Sequence, residues 1–265
     1  MMIAQEVATV PERFGVPEGT PFGFVPDGLG THASRTIMLR ELRLLLEASP
    51  AEATLERYQS AVLEENVLLK RTQTTRAKSL RHLRELYGLD RRLLLFRALR
   101  DLWEADPESQ PLLAIECALA RDPSLRATAQ AILDAQPGQP LTPQALAAAF
   151  AAEHPGRLNP TTLATVGRNA ASSWTQSGHL LGRSAKVRAS VRSRPPAVAY
   201  ALLLGFLAGA RGDALFDTAW CRLLDAPAHL LHDQAFVASQ QGWLEYRHAG
   251  MVTEISFRYL LREEE

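Results

Sequence analysis

Five cations, Arg183, Lys186, Arg188, Arg192 and Arg194, stand within twelve residues that contain no acid. Small or apolar residues separate them, so the segment reads as a basic wing or a clamp on a phosphate backbone. Ahead of it, residues 160–177 read as a helix. Leu163, Val166, Ala170 and Trp174 recur at helical spacing as one apolar stripe. Thr165, Arg168, Asn169, Ser172 and Gln176 fall on the other side. Arg pairs with guanine and Asn or Gln with adenine in the major groove, while Ser and Thr reach phosphate or base. A helix followed by a basic loop is the order in which a winged helix offers one element to a groove and the next to phosphates.

Charge is segregated along this chain. From His154 to Gly212 there is no Asp or Glu, while Arg157, Arg168, Arg183, Lys186, Arg188, Arg192, Arg194 and Arg211 give a local charge of +8. The whole protein carries 29 basic and 29 acidic residues and is formally neutral. An acid-free basic stretch attracts a polyanion, and it equally suits a solvated face whose balancing acids lie elsewhere on the fold.

A second cationic region runs from Lys70 to Arg100. Within its helix, Arg76, Lys78 and Arg81 lie beside the hydroxyls of Thr72, Thr74, Thr75 and Ser79, a mixture suited to phosphate oxygens. The competing expectation is a contact with the acidic C-terminal third, residues 213–265, where nine acids face four arginines. That third has the order of a second winged helix, and its acidity makes it structural or partner-facing.

Catalytic and metal patterns are sparse. His229 and His232 sit one helical turn apart with Cys221 near in sequence, but a zinc site needs three or four ligands at workable spacing, and the pair reads as a surface pair. His179 follows Gly178 at a helix end, where a cation suits the dipole. Ser172 and Ser173 have no base partner legible in the sequence. There is no phosphate-binding glycine loop, nucleophile elbow or zinc-protease motif. No catalytic residue, metal ligand or cofactor is expected.

The elements that must position these residues are mostly helices. Ser34 is the expected cap of a helix reaching Glu47, with further helices over 52–69, 72–87 and 90–103. Pro111 and Asp122-Pro123 open two more. Residues 136–140, Gln-Pro-Gly-Gln-Pro, are the best internal boundary. Thr142-Pro143 and Asn159-Pro160 start the next helices, and an apolar helix follows Pro195-Pro196. Helices over 215–224 and 227–240 precede the one clear strand pair, 243–247 and 252–257. Residues 1 to about 30 are punctuated by Pro and Gly, and Phe14, Phe22, Phe24 and Val25 suggest an arm that docks on a surface. The longest apolar run, Ala197 to Ala210, is 14 residues against the roughly 20 that cross a bilayer, so it reads as a core helix. No secretory leader is visible at the start, and the two cysteines, Cys117 and Cys221, form no disulfide framework, which together point to the cytoplasm.

The chain resembles the BrxA family of BREX bacteriophage-exclusion systems. The resemblance is carried by Glu65-Asn66-Val67-Leu68, Arg71-Thr72-Gln73-Thr74-Thr75-Arg76 and Leu83-Arg84-Glu85-Leu86-Tyr87. It continues through 158–163 into the helix ending Gly178-His179-Leu180-Leu181, and closes on Gly242-Trp243-Leu244-Glu245-Tyr246-Arg247. It spans most of residues 34 to 260 and rests on pattern, without a catalytic signature. It implies a small, mainly helical, DNA-binding accessory protein of a multi-gene defence system, with no enzyme activity of its own. The Pro/Gly-rich arm and the basic loop from Arg183 to Arg194 are departures from that pattern.

The sequence thus leads to a mainly α protein: an arm over 1–33, a helical bundle over 34–136 and a winged-helix-like part over 141–265 that ends in a short β-hairpin. The expected partners are double-stranded DNA and other subunits of a defence complex, with no membrane. The rival is a protein–protein scaffold whose basic faces dock on acidic partners; a cytosolic enzyme is third.

Overall fold

Short polar residues start many of the helices. Thr54, Thr72, Asp122, Thr142, Asn159 and Thr218 each accept a backbone N–H from the first turn of the helix they precede. The computed structural model describes residues 14–18, 22–250 and 252–262. In chain order the helices are α1 (Leu39–Glu47), α2 (Leu55–Leu63), α3 (Gln73–Tyr87), α4 (Leu94–Trp103), α5 (Gln110–Arg121), α6 (Pro123–Arg126) and α7 (Ala129–Asp134). They continue with α8 (Pro143–Glu153), α9 (Pro160–Gln176), α10 (Pro195–Leu207), α11 (Ala219–Arg222), α12 (Ala228–Gln240) and α13 (Arg258–Leu261). The fold is mainly α, as its sequence predicts.

Among the described residues two antiparallel hairpins complete it. β1 (Leu180–Leu181) pairs with β2 (Val187–Arg188), Leu180 opposite Arg188. β3 (Glu245–Ala249) pairs with β4 (Val252–Ser256), Glu245 opposite Ser256. The second is the predicted pair. The first escapes sequence reading because two residues a side give no alternation to detect.

The expected boundary at 136–140 is also a paired segment. Pro140 bridges Val187, and Arg188 N–H donates to Gln139 O at 2.8 Å while Leu141 N–H donates to Lys186 O at 2.9 Å. In chain order the bridge at Pro140 is followed by α8, α9, β1 and β2. Two glycines permit it. A Cβ on Gly167 would lie 2.2 Å from Pro143 O, so only glycine lets α9 pack this closely on α8. Gly182, at φ +99°, turns the hairpin with Ala185 O 2.0 Å from where a Cβ would sit. Two helices followed by a hairpin recur in α11, α12, β3 and β4.

Several helices differ from expectation: the one over 215–224 is a 3-10 turn (Gly212–Leu215) followed by the short α11, and the one opened by Asp122-Pro123 is divided into α6 and α7. Ser34 follows a 3-10 turn (Thr31–Ala33), and α1 begins five residues later, after Met38 at φ +52°. α2 stops at Leu63, and the positive φ of Asn66 and Leu69 carries the chain into a turn. Asp90 caps no helix; its carboxylate binds the N–H and guanidinium of Arg92, and α4 begins at Leu94.

Ala127, Phe150 and Val166 form a smaller second core cluster, and the main one runs from Phe14 to Leu260. α10 lies at its centre with Pro196 to Gly205 buried throughout. The predicted arm docks: Phe14 meets the ring of Trp220 edge-on at 4.6 Å, Phe24 is buried, and Val25 N–H donates to Ala120 O at 3.0 Å. Residues 1–13 and 19–21 of that arm lie outside the described residues. Among the described residues no helix is long and apolar enough to cross a membrane.

Candidate nucleic-acid interface

α9 packs against α8 on one side and the 31–39 segment on another. Val166, Gly167, Ala170, Ala171, Ser173 and Trp174 are buried. Trp174 is core as predicted, its indole N–H donating to Thr128 Oγ1 at 2.9 Å. The expected polar side is divided. Asn169 is half-buried and donates from Nδ2 to His32 O at 2.9 Å, and Gln176 Oε1 accepts Leu39 N–H at 3.0 Å. Asn169 is therefore corrected from a groove-facing residue to one that fastens the N-terminal segment.

What stays outward is a narrow ridge. Thr161, Ala164 and Arg168 are exposed, and Ser172 and Thr175 continue the same line half-buried. Arg168 Nη2 donates to Thr165 Oγ1 at 2.8 Å, which lays the guanidinium along the helix. The ridge ends against the first hairpin: Lys186 Nζ donates to Thr175 Oγ1 at 2.7 Å. The turn between β1 and β2 thus stands beside the exposed line of α9, with Arg183 exposed in it.

Two further cations of the basic loop are spent internally. Arg188 is buried, with both terminal nitrogens on the Asp225 carboxylate and Nε donating to Ile132 O at 3.0 Å. Arg194 pairs with Asp106 at 3.4 Å and with Glu108. Neither guanidinium is available to a phosphate, so both are corrected from backbone contacts to structural ion pairs. Their balancing acids come from far along the chain, which local sequence does not show. Arg192 is exposed in the segment leading to α10.

The second cationic region is more fully committed still. Arg76 is half-buried and donates to Leu63 O at 3.0 Å, and Arg81 pairs with Glu85 at 3.5 Å. Lys70 meets Glu41, Arg91 meets Asp101, and the buried Arg100 binds Glu104, Leu46 O and Ser49 O. Arg71, Lys78 and Arg84 remain exposed. The pairing acids lie on the N-terminal helices, so the expected contact with the acidic C-terminal third does not account for this charge.

A serine, a histidine and an aspartate meet where the sequence showed no base for the serine. His32 Nδ1 lies 2.7 Å from Asp122 Oδ2, and Nε2 lies 2.7 Å from Ser173 Oγ. That is the hydrogen-bond order of a hydrolytic triad. All three side chains are at most 1% exposed. Ser173 Oγ also accepts Ile37 N–H at 3.0 Å and donates to Asn169 O at 2.9 Å, so its proton and lone pairs are used by the fold. Burial pushes the Asp122 carboxyl up, but the His32 ring and the N–H groups of Leu125 and His32 outweigh it and hold it below the usual range.

His179 differs from its expected role as a cation at a helix end. It is fully buried, Nε2 is 2.8 Å from Leu223 O and Nδ1 is 2.9 Å from Ser177 Oγ; burial lowers its pKa to about 4. Cys221 is buried and free, and His229 is exposed. Comparison with protein-family models and with curated proteins finds no match.

Proposed function

We propose that this protein binds double-stranded DNA through the ridge of α9 and the adjoining β1–β2 turn, without enzyme activity of its own. The observation that carries the reading is the Lys186–Thr175 contact, which joins the turn to the ridge in one acid-free strip holding Arg168, Ser172, Arg183 and Lys186. Arg192 lies further along the same basic segment. With few cations and no free amide row, such a strip suits phosphate contact more than base reading. The exposed Lys78 of α3 is the member of its group best suited to add a further contact.

The resemblance to the BrxA family supports placing the protein in the cytoplasm as an accessory subunit of a phage-defence assembly. The C-terminal winged-helix order supports a partner-facing role. Leu230, Phe236 and Val237 are exposed on α12, where a DNA-reading helix would carry cations. This same observation favours the second reading, a protein–protein scaffold, and the two functions fit one chain.

A gel-shift series with mixed-sequence duplex at several salt concentrations tests the DNA reading. Binding that weakens steeply with salt is the expected outcome. Indifference to DNA at low salt, with partner subunits still co-purifying, leaves the scaffold reading alone.

A further inference from the structure

Three segments of the C-terminal unit bring an aspartate and two histidines to one point. Asp213 lies in the turn before α11, His232 on α12 and His248 on β3; one ligand atom from each lies within 4.8 Å of the other two. We propose that Asp213, His232 and His248 form a binding site for a divalent transition-metal ion of the zinc class.

The donor set selects the metal. Two imidazoles and one carboxylate suit zinc and its neighbours, whereas magnesium and calcium require oxygen donors. Two ligands about 2.0–2.1 Å from a tetrahedral ion stand roughly 3.3 Å apart. His232 Nε2 is 3.6 Å from Asp213 Oδ1, close to that spacing. His248 supplies the third ligand atom, within 4.8 Å of the other two, a spread that the bound ion draws in.

The surroundings hold the ligands as metal sites do. His232 Nδ1 is 2.8 Å from the Tyr246 hydroxyl, which leaves Nε2 as the nitrogen facing Asp213. Phe216 stacks on the same ring at 3.9 Å. The Thr253 hydroxyl donates to Asp213 Oδ1 at 2.8 Å and lies 2.9 Å from His248 Nδ1, tying both side chains to β4. Ligands fixed by a hydroxyl or carboxylate behind them are the recurrent outer arrangement of such sites. Three protein ligands leave a fourth position for water or another donor. Bound there, the ion joins the β3–β4 hairpin to α12 and to the turn before α11.

The test uses the full chain, stripped of metal and titrated with Co2+ as a visible probe and with Zn2+ in competition against a chelating dye. One equivalent should bind with a tetrahedral Co2+ absorption spectrum that Zn2+ abolishes. His248→Ala and Asp213→Asn, both at exposed positions, should each weaken Zn2+ at least a hundredfold while keeping the metal-free melting temperature. Thr253→Val should weaken it about 10–100-fold. No saturable binding by the folded wild type, or binding that His248→Ala and Asp213→Asn leave unchanged, overturns the site. The buried Cys117 and Cys221 provide a control, since Cys→Ser variants should bind as wild type.

Discussion

Arg188 and Asp225 face each other in a two-pronged ion pair, Nη1 to Oδ2 at 2.9 Å, with the guanidinium only 4% exposed. Asp225 also accepts Val191 N–H at 3.0 Å, so one carboxylate ties the hairpin to the turn after α11. Removing one member of a buried pair leaves the other charge uncompensated. Arg188→Ala should destabilise the fold by about 3–5 kcal/mol in denaturant unfolding. Its DNA affinity, corrected for the folded fraction, should match wild type. A fully stable variant would show that the pair contributes nothing.

Acid should weaken the fold through His179. Its folded pKa is depressed to about 4 from an ordinary 6.5 because burial penalises the charged ring. Between those values the unfolded chain binds the proton and the native state does not. Stability is therefore complete above pH 6.5 and is lost as pH falls towards 4, by about 3 kcal/mol in total. Asp122 has a depressed carboxyl and adds a further loss at lower pH. Unfolding free energies measured across pH 4 to 7 check the slope; a flat profile there contradicts a neutral buried His179.

Glu116 acts in the opposite direction. Both carboxyl oxygens are buried without a hydrogen-bond partner among the described residues, and burial raises the pKa well above 4.5. The native state then holds a proton that the unfolded chain releases, so the stabilising form is complete below pH 4.5 and the contribution is lost as pH rises. Glu116→Met should gain about 1–3 kcal/mol by removing an unpaired buried acceptor. The gain should be larger at pH 8 than at pH 5 in chemical denaturation. A destabilised Met variant would mean that the carboxyl has a role in the native state that the methionine cannot fill.

Much of the helix plan is legible because it is local. Thr72 and Gly88 bracket α3, and Asn159-Pro160 opens α9, each by chemistry within one turn. The face of Trp174 is equally local, set by helical spacing. The interface was only half legible because a cation's fate depends on distant partners. Arg183 and Arg188 look alike in the sequence, yet one is exposed and the other meets Asp225, 37 residues on. Asn169 likewise reads as an outward residue until His32, 137 residues away, takes its amide. Sequence separation likewise hides His32 from Ser173, 141 residues on, and His248 from Asp213.

Ser173 should be inert as a nucleophile despite its triad-like neighbours. It is fully buried and its hydroxyl is committed to Asn169 O, so a fluorophosphonate probe should not label the folded protein. Ser173→Ala should cost about 1–3 kcal/mol, since it strands the Ile37 N–H and a ring nitrogen of His32. Labelling of the native chain that Ser173→Ala abolishes would show a reactive serine and favour the enzyme reading.

The DNA reading makes a contrast between cations that the sequence treats as equals. Arg168, Arg183 and Lys186 lie on the strip formed by α9 and the β1–β2 turn, whereas Arg188 and Arg194 are held in ion pairs. Replacing the first three with Ala should weaken every duplex alike, because phosphate contacts carry no sequence information. Each lost contact should flatten the salt dependence by roughly one unit of log–log slope. Arg168 and Arg183 are exposed, so their loss should leave thermal stability within about 0.5 kcal/mol of wild type. Arg194→Ala should leave the slope unchanged and lower stability instead, by breaking the link to Asp106 and Glu108. Gel shifts of the triple variant and of Arg194→Ala at matched salt concentrations separate the cases. Full binding by the triple variant removes the strip from the interface and moves attention to the exposed Lys78, Arg71 and Arg84 around α3.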